Sequence, residues 1–390
     1  MACLGSLSQR EARRAEIDKV ARRVGTWAQS GIVAETTRLD VLRRRLAIQR
    51  LQGNALPSAT DVVRLLGCVQ SQEYAHALWS LGMRSSGPTI ADIQAEFDRG
   101  DFLRTHVLRP TWHFVAAEDI RWILEITAPR VQRLNQTIYR QAALDQATLD
   151  RGVALITEEL KGERFRTRAE LGQALTDQGL ASKGLRLAYI VMNAELEGVI
   201  CSGPVRGAQQ TYALLDERAL RVTDAVSDAA ELARRFFLGH GPASVQDLAR
   251  WASLTLGQCR DALEAIKDQL ACVSVEGVEL WFDPEPPAVE PSPEALLMPL
   301  YDELTLSYPV INFPQADNHP HPPGEDLFVG CVIIAETNVG TWRRTVQGRK
   351  MIMEIALAPG LVASSPALVE AAAGKLATFA GKQLELTITS

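Results

Sequence analysis

The sequence predicts an α+β protein, with three tandem winged-helix modules followed by a mostly β C-terminal domain. Three observations predict this fold: a helix-start signature that occurs three times, a helix-turn-helix-hairpin order in which it stands, and a strand-rich end to the chain. The 390 residues, 46% hydrophobic and 23% charged, have the composition of globular domains and the length for several modules.

The helix-start signature is a Ser or Thr followed three residues later by an acid and then by an apolar residue. The hydroxyl accepts a hydrogen bond from an unpaired N–H of the first turn, and the acid favours the same helix end. The three occurrences are Ser58-Ala-Thr-Asp61, Thr167-Arg-Ala-Glu170 and Ser244-Val-Gln-Asp247. Three similar units in succession indicate a repeated supersecondary motif.

The first module is predicted to contain three helices and one extended stretch: Val41–Leu51, Ser58–Cys68, Ala75–Met83 and Phe102–Val115. A long amphipathic helix, Ala116–Leu134, follows, and we expect it to be broken or kinked at Pro129.

The second module is clearest, because helix, turn, helix and hairpin is the order of a winged helix. Its predicted elements are Thr167–Thr176, Gly184–Glu197, Val199–Cys201 and Thr211–Leu214. Arg206 would lie at the tip of its wing. The third module repeats the order in Asp228–Leu238, Ser244–Ala252, Thr255–Leu270, Ala271–Val275 and Val278–Phe282.

A proline-rich linker separates these modules from the C-terminal domain. Its predicted strands are Leu296–Tyr308, Asp326–Ala335, Gly340–Val346, Met351–Leu357 and Leu384–Thr389, with one helix at Pro366–Ala380. The predicted domains are an N-terminal extension (1–37), three winged-helix modules (38–135, 136–222 and 223–284) and the β-rich domain (285–390).

Several classes of protein are disfavoured by composition. No apolar run reaches the length of a membrane span, and the charged N-terminus lacks a signal-peptide core, so we expect a cytoplasmic protein. The six cysteines form no Cys-x-x-Cys pair and the histidines no His-Glu-x-x-His pattern. We therefore expect no metal and no cofactor, and we favour an exposed loop over a metal site at His319 and His321.

The net charge of −6 by itself argues against binding to nucleic acid, but the charges are distributed unevenly along the chain. Residues 276–303 hold eight carboxylates and no Lys or Arg, whereas Arg343, Arg344, Arg349 and Lys350 fall within eight residues. Basic faces and an acidic edge on one protein are compatible with DNA binding. A solvated mixture of surface charges explains the pattern equally well.

Two glutamines, Gln70 and Gln72, stand on either side of Ser71, just after Gly67. In a helix their side chains would point roughly 200° apart. In an extended segment both would leave the same face, where they could converge on one water or phosphate. A Gln-x-Gln triplet is also common in helix ends and loops, so it carries little weight alone.

A polar face is expected in the extended stretch of the first module. Strand alternation would put Arg109, Thr111 and His113 on one side and Pro110, Trp112 and Phe114 on the other. Guanidinium, hydroxyl and imidazole groups suit a phosphate or another polar ligand. A wing with polar residues turned outward is the alternative.

Taken together, several segments resemble the winged-helix DNA glycosylases of the AlkZ type, over nearly everything after Thr37. They are Ala47-Ile-Gln-Arg-Leu, Asp61-Val-Val-Arg-Leu-Leu-Gly-Cys-Val-Gln-Ser-Gln, Ala77-Leu-Trp, Arg109-Pro-Thr-Trp-His-Phe-Val-Ala-Ala-Glu-Asp, Gly198-Val-Ile-Cys-Ser-Gly-Pro, Tyr212-Ala-Leu-Leu-Asp-Glu, Gly241-Pro-Ala-Ser, Tyr301-Asp-Glu and Val339-Gly-Thr-Trp-Arg-Arg.

The resemblance implies a bacterial enzyme that removes alkylated purines, especially N7-alkylguanine, and unhooks interstrand cross-links. Some members of that family protect producers of DNA-alkylating antibiotics. The family motif, Gln-aliphatic-Gln, maps onto Gln70 and Gln72, and Ser71 departs from the aliphatic type. A sister branch has Asp in place of the second Gln, which this chain does not.

We therefore predict a monofunctional DNA glycosylase, without lyase activity, that acts as a monomer on double-stranded DNA carrying alkylated purines. Gln70 and Gln72 would orient a water, and Glu73 would assist as a base. The predicted DNA-binding residues are Arg104, His106, Arg109, Thr111, His113, Arg206, Arg343 and Arg344. The alternatives are a non-catalytic winged-helix binder, regulatory or drug-sequestering, and a structural partner protein that uses the acidic stretch 276–303.

Overall fold

The computed structural model describes residues 36–180, 183–219, 228–288, 294–320, 329–360 and 366–389. The predicted N-terminal extension lies outside these residues, apart from its last two. The mixed α+β class is confirmed, and the described strands form four sheets. No helix among the described residues is both long and apolar enough to cross a membrane.

The first unit carries the two glutamines. Its helices are α1 (Arg38–Ile48), α2 (Ala59–Leu66), α3 (Tyr74–Gly82) and α4 (Ile90–Arg99), and its strands are β1 (Cys68–Gln70), β2 (Phe102–His106) and β3 (Trp112–Ala116). The strands form an antiparallel sheet in the order β1-β3-β2.

A long helix, α5 (Ile120–Gln141), leads into the second unit. That unit contains α6 (Gln146–Leu160), β4 (Arg166–Thr167), α7 (Arg168–Asp177), α8 (Gly184–Leu196), β5 (Ile200–Ser202), β6 (Thr211–Leu214) and the short α9 (Leu215–Arg218). Its sheet order, β4-β6-β5, matches that of the first unit.

The third unit contains α10 (Ala229–His240), α11 (Val245–Ala252), α12 (Leu256–Glu264), a 3-10 turn (Lys267–Gln269) and the hairpin of β7 (Ala271–Val275) and β8 (Val278–Phe282). An isolated antiparallel bridge between Ala243 and Trp281 stands where the other units have their first strand. All three units thus follow one order: helix, short extended segment, two helices and two strands.

The C-terminal part consists of β9 (Leu296–Met298), α13 (Glu303–Leu306), β10 (Gly330–Ile334), β11 (Thr337–Gln347), β12 (Lys350–Leu357), α14 (Pro366–Phe379) and β13 (Gln383–Thr389). Its sheet has the order β13-β12-β11-β10-β9. The β12–β13 pair is parallel, which requires the crossover that α14 provides.

The three predicted helix caps are present. Ser58, Thr167 and Ser244 each accept a hydrogen bond from the N–H three residues later, and Thr167 and Ser244 complete reciprocal capping boxes. Each such cap typically contributes about 1 kcal/mol to helix stability.

Several predicted elements need correction. The Leu296–Tyr308 stretch is a strand only as far as Met298, because Tyr301 adopts a φ of +64° and Asp302 then caps α13. Helix α5 is not broken at Pro129, which lies inside it, and it spans residues 120–141 rather than the predicted 116–134. The expected helix Thr255–Leu270 divides into α12 and the 3-10 turn.

The extended stretch Phe102–Val115 is interrupted as well. It forms the hairpin of β2 and β3, whose connection contains Leu108 at a φ of +62°. Helix α4 and the short strands β1 and β4 were not predicted. Short strands of two or three residues leave no period for a sequence pattern to reveal.

The apolar cores join parts that are distant in the chain. The largest cluster joins the first, second and third units to the C-terminal part, with members such as Cys68, Leu196, Trp251 and Leu304. A second cluster packs the first unit against the C-terminal sheet and α14. This packing brings Trp251 and residue 303 beside β1.

Candidate active site

Strand β1 begins just after Gly67 and ends at Gln70, and the local sequence explains where it begins. Helix α2 ends at Gly67, whose φ of +72° suits glycine, and the chain then becomes extended. Cys68 and Val69 are buried, and Gln70 is paired with His113 on β3. The glutamine segment is therefore extended rather than helical as far as Gln70, and Gln72 follows two residues later in a bend outside the strand.

The side chain of Gln70 is held by Arg109. Arg109 Nη2 donates to Gln70 Oε1 at 2.8 Å, and Nη1 donates to the backbone oxygen of Trp251 at 2.9 Å. The same Nη2 lies 3.2 Å from His113 Nε2. The guanidinium therefore links β1, β3 and the end of α11.

His113 is a neutral imidazole in this arrangement. Burial and the neighbouring charge of Arg109 lower its pKa to about 3. Its Nδ1 lies 2.9 Å from the backbone oxygen of Thr111, so Nδ1 carries the proton and Nε2 accepts from Arg109.

A buried carboxylate, Glu303, lies behind Gln70. Its Oε1 accepts from the backbone N–H of Gln70 at 2.8 Å, and its Oε2 accepts from Trp251 Nε1 and Ser307 Oγ, each at 3.1 Å. Burial raises its pKa, but contact with His240 and the charge of Arg109 outweigh burial and lower the pKa to about 2. Glu303 is therefore an anion at neutral pH.

Gln72 is held more loosely than Gln70. Its Oε1 lies 3.5 Å from the backbone nitrogen of Trp112, the outer limit of a hydrogen bond, and the residue is half-buried. Glu73, predicted to assist as a base, is exposed and precedes α3 without a side-chain capping bond. Its side chain is therefore exposed to solvent, one residue after Gln72 in the chain.

The backbone of Ser71, between the two glutamines, is held by hydrogen bonds. Its N–H donates to the oxygen of Trp112 at 2.7 Å, and its carbonyl accepts from Arg104 Nε and Nη2 at 3.1 and 3.0 Å. The guanidinium of Arg104 also lies over the Trp112 ring, 4.3 Å from its centre. These contacts immobilise the peptide that separates the two amides.

The second unit also contacts the hairpin of β2 and β3. Glu195 on α8 is 1% exposed; its Oε2 lies 2.5 Å from His106 Nδ1, and its Oε1 accepts from Trp112 Nε1 at 3.2 Å. The backbone N–H of Arg104 donates to Ser202 Oγ at 2.8 Å. Units one and two therefore share buried polar contacts.

The predicted face of Arg109, Thr111 and His113 forms only in part. Arg109 and His113 meet, but Thr111 contributes its backbone oxygen, and its hydroxyl is buried without a hydrogen-bond partner among the described residues. The expected alternation fails because β3 begins at Trp112, and residues 107–111 form a tight turn in which Thr111 N donates to Arg109 O.

The other predicted DNA-binding residues differ in exposure. Arg104 and His106 are buried, at 8% and 4% exposure, so their contacts in this state are to protein. Arg206 is half exposed and paired with Glu170 at 2.7 Å. It follows β5, in the segment where a wing tip was expected.

Arg343 and Arg344 lie on β11 of the C-terminal sheet. Arg343 is exposed and paired with Glu354 on β12, and Arg344 donates to the backbone oxygen of Ala75 at 3.1 Å. Because Ala75 is three residues after Gln72, this part of the sheet lies beside the glutamine segment.

Sequence reasoning missed Glu303, Trp251 and Glu195. The acidic stretch 276–303 was interpreted as an exposed edge, which is wrong for Asp302 and Glu303, since both are almost fully buried. The one available signal was the position of Asp302 and Glu303 within the Tyr301-Asp-Glu segment, directly before Leu304. Among the described residues, no group of three or more His, Cys, Asp or Glu side chains could hold a metal ion.

Comparison with known proteins gives concordant matches. A family model described as DNA glycosylase AlkZ-like matches residues 63–379. An interstrand DNA cross-link repair glycosylase from Streptomyces sahachiroi is 27% identical over 256 residues, which cover 61% of this chain and 67% of that protein. The solved structure of Streptomyces sahachiroi DNA glycosylase AlkZ has a TM-score of 0.72 at 20% identity, covering 91% of this chain and 100% of that one.

Proposed function

We propose, from the premise that this chain belongs to the family of AlkZ-like DNA glycosylases, that it hydrolyses the N-glycosidic bond of alkylated purines in double-stranded DNA. The observation that carries the proposal is the pair of glutamines at the end of β1, where Arg109 holds the side chain of Gln70 and Glu303 holds its backbone N–H. The family is one of DNA repair enzymes, and the named relative acts on interstrand cross-links.

The chemistry suits uncharged amides. An N7-alkylguanine is cationic, so its glycosidic bond is weak and the base leaves without a strong acid. The enzyme has to position a water near C1′ and stabilise an oxocarbenium-like sugar. Gln70 and Gln72 can orient that water, while Glu73, exposed beside them, would assist as a base.

The reaction is proposed to be hydrolysis alone, without strand cleavage. Strand cleavage by a glycosylase requires an amine that forms a Schiff base. Among the described residues, the groups that form hydrogen bonds with Gln70 and Ser71 are arginine side chains, one glutamate side chain and backbone groups. A water nucleophile fits this surrounding.

DNA contact is proposed to come from the surrounding units. The shared element order and the 1-3-2 strand order support three winged helices within 38–135, 136–222 and 223–284. Arg206, Arg343 and Arg344 are the proposed phosphate ligands at the surface. Arg104, His106 and His113 are proposed to support the DNA-facing hairpin from within. Arg109, predicted from the sequence to bind phosphate, is proposed instead to hold the side chain of Gln70, because its Nη atoms are bonded to Gln70 and to the backbone of Trp251.

The test is incubation with a duplex containing N7-methylguanine, followed by detection of released base and of abasic sites. We expect base release from the alkylated duplex, none from the undamaged one, and no strand nick before alkali. Gln70→Ala and Gln72→Ala should lose most excision while keeping DNA affinity. Excision at the wild-type rate by a variant that carries both Gln70→Ala and Gln72→Ala would rule out this mechanism.

A second arm uses an N7-linked interstrand cross-link, because the named relative is a cross-link repair glycosylase. Unhooking would support a role in self-resistance to a DNA-alkylating natural product. Binding of DNA or drug without release of any base would instead favour the non-catalytic binder.

A further inference from the structure

The orientation of the Gln70 amide follows from chemistry. Arginine has five N–H donors and no acceptor, so the atom that faces Arg109 Nη2 at 2.8 Å must be the Gln70 carbonyl oxygen. Arg109 cannot turn away easily, because its Nη1 is bonded to the backbone of Trp251 and its Nη2 also contacts His113.

The donor end of the amide therefore points away from Arg109. Gln70 Nε2 makes no hydrogen bond to any described residue, and Gln70 keeps 9% of its surface exposed. Its carbonyl already accepts a charge-assisted bond, and such a bond is about twice as strong as a neutral one. Gln70 can therefore donate a hydrogen bond through Nε2, whereas its Oε1 is already bonded to Arg109.

Gln72 differs in each respect. Its carbonyl has one neutral donor, the Trp112 N–H, at 3.5 Å, so the oxygen keeps its strength as an acceptor. The residue is half-buried, and among the described residues no charged group forms a hydrogen bond with its amide. Gln72 can therefore accept a hydrogen bond from a water.

We propose that the two amides have unlike roles: Gln72 accepts a hydrogen bond from the attacking water, and Gln70 donates through Nε2 to an acceptor atom of the damaged nucleotide. This rests on the proposed function. The water oxygen bonds to C1′ as the C1′–N9 bond breaks. The electron pair of that bond neutralises the cationic purine, and the water proton passes to solvent.

Matched carboxylate substitutions distinguish these roles. Gln70→Glu replaces the NH₂ donor with oxygen at nearly constant volume and offers a carboxylate to Arg109, whereas Gln72→Glu keeps an acceptor. We expect Gln70→Glu to lower the single-turnover excision rate by about 100-fold, the loss found when one preorganised donor is removed. Gln72→Glu should lower the rate by about tenfold at most, because the carboxylate still accepts a hydrogen bond from the water and can assist as a general base.

Equal losses in the two variants, or the greater loss in Gln72→Glu, would overturn the assignment. Melting curves of both variants establish that each is folded. A wild-type protein that releases no base would defeat the proposed function, and the amide orientation is then tested without substrate. In ¹⁵N spectra, Arg109→Lys should shift the Gln70 side-chain amide resonance and leave that of Gln173 on α7 unchanged; an unmoved Gln70 resonance overturns the fixed orientation.

Discussion

The backbone N–H of Gln70 donates to the buried carboxylate of Glu303 at 2.8 Å, across 233 residues of chain. This contact joins the C-terminal part to the strand that carries the glutamine pair. The same carboxylate accepts a hydrogen bond from the indole N–H of Trp251 in the third unit. The position of Gln70 is therefore determined by three separate parts of the molecule.

Replacing Glu303 with Ala should destabilise the protein strongly. The change leaves the N–H of Gln70, the indole of Trp251 and the hydroxyl of Ser307 buried without an acceptor. Removing one partner of a buried charged network costs about 3–5 kcal/mol, which urea unfolding at pH 7 would measure. A loss below about 1 kcal/mol, the net worth of a single hydrogen bond, would contradict this role.

The neighbouring carboxylate provides a matched comparison. Asp302 is buried, pairs with Arg84 at 2.8 Å and accepts a hydrogen bond from Ser80 Oγ at 2.6 Å, but among the described residues it makes no hydrogen bond to the glutamine segment. Asp302→Asn should lower the free energy of unfolding by about 3–5 kcal/mol as well. Its excision rate per folded molecule should match wild type, whereas that of Glu303→Ala should fall because Gln70 loses its backbone acceptor. An equal fall in the two variants would show that the loss is not specific to Gln70.

Acid should destabilise the protein through two histidines, His113, which is buried, and His76, which is half-buried. Burial lowers the pKa of His113 to about 3 and of His76 to about 4, from 6.5 in the unfolded chain. The unfolded state therefore binds more protons below pH 6.5, and the free energy of unfolding falls as pH drops from about 6.5 toward these folded values.

His76→Asn tests this linkage, because its amide oxygen can replace Nδ1 as the acceptor for Leu300 N–H. Between pH 7.5 and 5.0, the decline in unfolding free energy should be smaller than in wild type by about 2 kcal/mol. The comparison is made by urea unfolding at both pH values. An identical decline in the two proteins would show that His76 titrates normally in the fold.

The salt dependence of DNA binding should separate surface arginines from buried ones. Arg343→Ala should reduce the slope of log K against log salt by about 1, the effect of losing one phosphate contact. Arg104→Met should leave the slope unchanged, because Arg104 is 8% exposed and bonded to Ser71.

Arg38→Ala is the control for Arg343→Ala, since Arg38 is also exposed and paired with a glutamate, Glu276. Its slope should remain that of wild type. Equal slopes for all three variants and wild type would exclude Arg343 as a phosphate ligand.

The sequence alone determined the features that depend on neighbours within a few residues. The caps at Ser58, Thr167 and Ser244 and the hairpin of β7 and β8 were predicted, because a hydroxyl, an acid or an alternating pattern acts over one turn or one strand. The glutamine pair was also identified from sequence.

Tertiary structure decided how that pair is held. The turn at residues 107–111 removed Thr111 from the predicted face and left Arg109 beside Gln70. Glu303, apparently one acid of an exposed edge, became a buried acceptor because the cores of distant units close around it. Its environment depends on long-range packing, and no local pattern of hydrophobicity or charge records which distant residues will surround a side chain.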